Sequence, residues 1–119
     1  MNADAQAYGG EPVGLADSQF VELAVEVFGM LADATRVRII LALGGGELSV
    51  NTLASALDKP PAAVSQHLAK LRMARIVAAR HEGNKVFYRL EDEHASQLIT
   101  DAIHQAEHTL GQPLSLIHI

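Results

Sequence analysis

Lys59 to Leu90 reads KPPAAVSQHLAKLRMARIVAARHEGNKVFYRL, and partway along it the period of the apolar pattern changes. In the first half, Val64, Leu68 and Leu71 follow an i, i+4, i+7 spacing, which puts them on one face of a helix. Pro61 sits near the first turn of that helix, where its missing N–H costs nothing. In the second half, two short extended runs, IVAAR (76–80) and VFYRL (86–90), flank HEGNK, whose Gly83-Asn84 pair suits a tight hairpin turn. Just upstream, Ser49 can cap a short helix, VNTLASAL (50–57), joined by the turn DKP to the helix already described. A helix, a short turn, a second helix and then a hairpin predict a mainly α protein with a small β-hairpin, a winged helix-turn-helix.

Working outward, Asp17 or Ser18 can cap a helix with Phe20, Leu23, Val27, Met30 and Leu31 at helical spacing. Asp33 offers the N-cap of another, ATRVRIILAL, which Gly44 to Gly46 should stop. The last helix should start near Asp92 and end at Gly111 and Pro113. Residues 1–15, small, polar and glycine-containing, read as a mobile tail; 16–110 should form the winged helix-turn-helix domain; 111–119 read as a tail ending in the apolar LSLIHI.

The 119 residues are 49% hydrophobic and 19% charged, enough for one packed core. No apolar run reaches the roughly 18 residues that span a bilayer, and the N-terminus lacks a signal-peptide pattern. The absence of cysteine excludes thiolate metal sites and fits a reducing, cytoplasmic setting. A net charge of −5 argues against a polyanionic partner, but all nine Lys and Arg lie between Arg36 and Arg89. From Lys59 to Arg89 seven basic residues face only Glu82, and nucleic acid responds to that local patch more than to the total.

On the second helix of the motif, Ala62, Gln66, Lys70 and Met73 lie opposite the apolar face, with Ser65 and His67 on the flanks. Ser65, Gln66 and His67 can hydrogen-bond base edges, glutamine suiting adenine, while Lys70 and Arg72 suit phosphates. In the hairpin, Arg80, His81 and Lys85 cluster near the tip, where they can approach a minor groove.

MLADATRVRIILAL, SVNTLASAL, AAVSQHLAKLRMARIV and GNKVFYRL, in that order, make the chain resemble the ArsR/SmtB family of metal-responsive repressors over about residues 18 to 110. KPPAAVSQHLAKLRMARIV and DEHASQLITDAIHQAEH look most like its nickel- and cobalt-sensing members. The resemblance implies a homodimer that leaves its operator DNA when an effector binds. Where some members carry thiols in the first helix of the motif, this chain has Ser49 and Asn51, so a soft-metal site of that kind is missing. Other members bind metal on the last helix through a D-x-H pair and two later ligands; Asp92, His94 and His108 match, and Gln105 departs. The nickel and cobalt pattern uses a histidine, an adjacent Glu-His pair and tail histidines, which His94, Glu107 and His108 match, with His118 as a stand-in for the tail.

His94 and His108 are fourteen residues apart, which brings them within about 40° of one helix face but separates them by about 21 Å. One chain therefore cannot bring both to one ion, since metal–nitrogen bonds are about 2.1 Å. Two copies packed antiparallel about an axis near Asp101, with Ile99, Ala102 and Ile103 at the contact, would form two sites, each taking Asp92 and His94 from one chain and Glu107 and His108 from the other. His104, one turn from His108, can replace Gln105. Nitrogen and oxygen donors in this number suit six-coordinate Ni(II) or Co(II) better than tetrahedral Zn(II). A repressor of the same fold that senses no metal is the alternative reading. An enzyme is the weakest: Gln105 follows His104, so the i, i+4 histidines lack the glutamate of a zinc hydrolase motif.

Overall fold

The computed structural model describes residues 14–111. The tail residues 1–13 and 112–119, with His118 and Pro113 among them, lie outside the described residues. The chain divides into two compact units, Met1–Met30 and Leu31–Ile119.

In the first unit, the hydroxyl of Ser18 accepts from the backbone N–H of Phe20 at 3.0 Å and opens helix α1, Val21–Leu31. Phe20 just before it is 59% exposed, and within it Leu23 is 53% and Phe28 57% exposed; Leu31 at its end is buried. Helical spacing read along α1 marks an apolar helix correctly but says nothing about what covers it.

The second unit begins with Asp33, whose carboxylate accepts from Arg36 N–H at 3.0 Å and caps α2, Ala34–Leu43. Ser49 caps α3, Val50–Leu57, through the N–H of Thr52. Helix α4, Pro61–Met73, has Pro61 in its first turn. Both motif helices end in Schellman turns: Lys59 N–H reaches Ala54 O and Ile76 N–H reaches Leu71 O. The left-handed residue of each turn is usually glycine, but here they are Asp58 (φ 55°) and Arg75 (φ 62°). Asp tolerates that region by its short polar side chain, whereas Arg carries strain of about 1–2 kcal/mol.

The wing pairs β2, Val77–Glu82, with β3, Lys85–Leu90, in register from Val77 opposite Leu90 to Glu82 opposite Lys85. Gly83 at φ 65° occupies the first central position of the two-residue turn, where a type II′ turn needs positive φ. A strand the sequence reading did not contain, β1 (Leu48–Ser49), pairs with β3, so the sheet has three strands in the order β1-β3-β2. Two residues are too short to show a period, which is why β1 was not read. Helix α5 runs from His94 to Leu110.

One core joins these elements. Ile39 and Ile40 of α2, Leu53 of α3, Val64, Leu68 and Leu71 of α4 and Val77 of β2 are fully buried, with Ala95 and Ile99 of α5 beside them. The three α4 residues are those whose spacing predicted an inward face. Burying each contributes roughly 1.5–3 kcal/mol, far more than any surface pair, so the core determines which side of α4 faces water. Ile99 at 4% exposure belongs to this core, which corrects its placement at a contact between copies.

Candidate DNA-reading surface and metal-ligand face

The inward pull of Val64, Leu68 and Leu71 leaves Ser65, Gln66, Lys70 and Arg72 exposed on α4, where a groove can be met. His67 is different. It is half-buried, and its Nδ1 accepts a hydrogen bond from Nε of Arg36 at 3.2 Å. Arg36 was not read as a site residue, and nothing local in the sequence pairs two residues so far apart. The backbone N–H of Arg36 holds the Asp33 carboxyl below the usual carboxylate range, and the neighbouring His67 and Arg36 side chains add to this.

The wing repeats this contrast. Lys85 and His81 are exposed near the tip. Arg80 is also partly exposed, but its guanidinium is engaged: Nη2 donates to Glu47 Oε1 at 2.7 Å, Nε to Glu47 Oε2 at 3.0 Å and Nη1 to Glu82 Oε1 at 3.1 Å. It also lies 4.9 Å from the centre of the Phe87 ring. The hydrogen bond from Arg80 holds the Glu47 carboxyl below its usual range, and the same pairing pushes the Arg80 guanidinium up. Much of the charge of Arg80 is thus spent inside the chain, tying β2 to the loop before α3. A cleft of about 380 Å³ between the start of α3 and the wing is lined by Ser49, Asn51, Thr52, Asn84 and Lys85, polar residues that the sequence reading did not group.

On α5 the backbone N–H of His94 donates to Asp92 Oδ1 at 2.9 Å, so the D-x-H pair doubles as the local cap of a helix whose N-cap residue Glu93 makes no side-chain bond. Asp92, His94, His104, Glu107 and His108 are all exposed. His94, Asp101 and His108 fall within about 40° of one another around the helix, while the buried Ala95 and Ile99 lie about 100–140° from His94. Among the described residues no three His, Asp or Glu side chains of one chain gather closely enough to hold a metal ion. The donors are hard and intermediate ligands free of competition from the core, a set that fits a divalent cation only if a second chain completes it. Leu98, 40% exposed, and Ala102 lie between the histidine row and the buried row, whereas Ile103 continues the line of Ala95 and Ile99.

Residues 33–79 match the bacterial regulatory protein, arsR family. The chain is 58% identical over 97 residues to the HTH-type transcriptional regulator KmtR of Mycobacterium tuberculosis, covering 82% of this chain and 74% of that protein. It is similar in structure to Rv0081 of M. tuberculosis, with a TM-score of 0.71 at 29% identity, over 82% of this chain and 99% of the other. The homodimeric winged helix-turn-helix DNA-binding domain Mb0332 of Mycobacterium bovis shares the fold, with a TM-score of 0.68 at 24% identity, over 92% and 93% of the two chains.

Proposed function

The chain belongs to the arsR family of bacterial regulatory proteins, DNA-binding transcriptional regulators rather than enzymes, and from that premise we propose that it is a metal-responsive repressor. It binds a two-fold symmetric operator as an apo homodimer in the cytoplasm, and Ni(II) or Co(II), with Zn(II) as the weaker candidate, releases it. Ser65 and Gln66 meet base edges while Lys70, Arg72 and Lys85 meet phosphates. The half-sites lie about 34 Å apart, one turn of the duplex.

The observation that carries the metal reading is the α5 histidine row. It faces away from the chain's own core, its donors are exposed, and no three of them meet within one chain. A second copy supplies what is missing: Asp92 and His94 of one chain and Glu107 and His108 of the other would hold the ion, with His104 in reserve. The exposed apolar residues of α1, and Leu98 on α5, are surface that water disfavours and a copy would cover. The dimer shape that closes these sites has its reading helices at a spacing the operator does not fit. A coupling of about 1–3 kcal/mol between ion and operator is enough to act as a switch.

The test is to enrich a duplex from random-sequence DNA with the apo protein, then titrate nickel, cobalt and zinc while following fluorescence anisotropy. Release by nickel or cobalt at lower concentration than by zinc is expected. Retention of the duplex under all three metals would leave a repressor of the same fold that answers to another effector.

A further inference from the structure

We propose that His67 is a positioning residue of the reading head, locked by Arg36, and does not itself read a base. This rests on the DNA-binding reading above but concerns how α4 is held, not what it contacts.

Arg36 is fixed at two points. Its backbone N–H donates to the Asp33 cap at 3.0 Å, and its Nε donates to Nδ1 of His67 at 3.2 Å. The second bond joins the first turn of α2 to the middle of α4, across 31 residues of sequence. Both side chains are half-buried, whereas Ser65, Gln66, Ala69 and Lys70 around them are exposed. Nδ1 is the acceptor in this bond, so the pairing sets which way the His67 ring faces on the flank of α4.

The geometry shows why such a bond matters to reading. Gln66 stands next to His67 on α4. Side-chain tips lie about 5–6 Å from a helix axis, so a roll of α4 by about 10° moves the Gln66 amide by about 1 Å. Base-edge hydrogen bonds tolerate only a few tenths of an ångström. The contacts of Val64, Leu68 and Leu71 oppose unfolding strongly, but apolar contact is non-directional and resists a small roll weakly. A directional hydrogen bond on the flank of α4 fixes the roll.

The test uses the full chain as apo protein and, as probe, the duplex it enriches most from random-sequence DNA, together with every single-base-pair variant of that duplex. His67→Ala, His67→Asn, His67→Gln, Arg36→Ala and the double alanine variant are compared by anisotropy well below their unfolding midpoints. The asparagine amide oxygen takes the place of Nδ1, while glutamine reaches the position of Nε2. For His67→Ala we expect affinity for the enriched duplex to fall roughly threefold to tenfold, the worth of one hydrogen bond. Base preference should flatten at every position that α4 reads, Arg36→Ala should do the same, and the double variant should lose no more than the worse single one. His67→Asn should recover the preference and His67→Gln should not. Loss of preference at one base pair only, with recovery by His67→Gln, makes His67 a reader and overturns the proposal. So do additive losses, or a variant that is less stable yet keeps the parent's preference. If the parent enriches no duplex, the DNA-binding reading fails instead. The lock is then judged by the same pair of substitutions in thermal unfolding, where additive shifts in midpoint overturn it.

Discussion

The wing and the last helix both present charged and polar side chains to water, but they differ in what those groups already do. On the wing, Arg80 spends its guanidinium on Glu47, Glu82 and the face of Phe87. On α5, Asp92 accepts one backbone N–H, and among the described residues no three His, Asp or Glu side chains gather to hold a metal ion. A side chain whose partners lie in its own chain acts on architecture. One whose partners are missing points to a ligand or another molecule. The distinction separates Arg80, which ties β2 to Glu47, from the exposed Lys70 and Lys85, to which we assign the phosphate contacts. It also separates the buried row of α5 from its histidine row.

Breaking the α5 side of this contrast should give the largest effect. Leu98→Glu places a charge beside the histidine row without touching the core; sedimentation should then show monomers, and binding to the enriched duplex should be lost. A dimer at low micromolar concentration would move the contact elsewhere, with α1 the next surface to test. On the reading head, Gln66→Ala should cost about 1–3 kcal/mol on the preferred duplex and relax base choice. Lys70→Ala should weaken all duplexes alike and lower the salt slope by about one. Arg80→Ala should change that slope less than Lys70→Ala does, because Glu47 and Glu82 already offset its charge; an equal change would break the contrast from the wing side.

Two smaller effects concern stability. Arg75→Gly should raise stability by about 1 kcal/mol by removing a side chain from a left-handed position, read as a higher unfolding midpoint. Asp33→Ala should lose about 1 kcal/mol of helix capping at neutral pH. The Asp33 carboxyl is held below its ordinary range, so its charge stabilises the fold above that range and the contribution is lost as pH falls through the lowered value. The gap between parent and Asp33→Ala should therefore narrow in acid and stay constant above neutral; a gap that widens in acid would contradict the cap.

Most of the fold was legible because it is written in local terms. Val64, Leu68 and Leu71 carry the helical period, Ser49 and Asp33 are cap residues by their chemistry, and Gly83-Asn84 suits only a tight turn. What was not legible joins distant residues or breaks a local rule. Arg36 with His67, and Glu47 with Arg80, pair across 31 and 33 residues and leave no periodic trace. Arg75 stands where turn chemistry favours glycine. For the candidate metal face, the spacing of His94 and His108 was readable from helix geometry alone. That Ile99 belongs to the core and Leu98 to the surface was not, because neighbouring apolar residues on a helix differ only in what packs on them.

The most direct test of the shared site uses two variants that each destroy it. His94→Ala and His108→Ala homodimers should both fail to bind nickel or cobalt, since every site in either dimer lacks one imidazole. The two are then mixed until native mass spectrometry shows that subunits have exchanged, and metal binding is measured by titration. The mixed dimer should regain one site of the two, where the intact His94 of one chain faces the intact His108 of the other. No metal binding in the mixed dimer would contradict a site built from both chains.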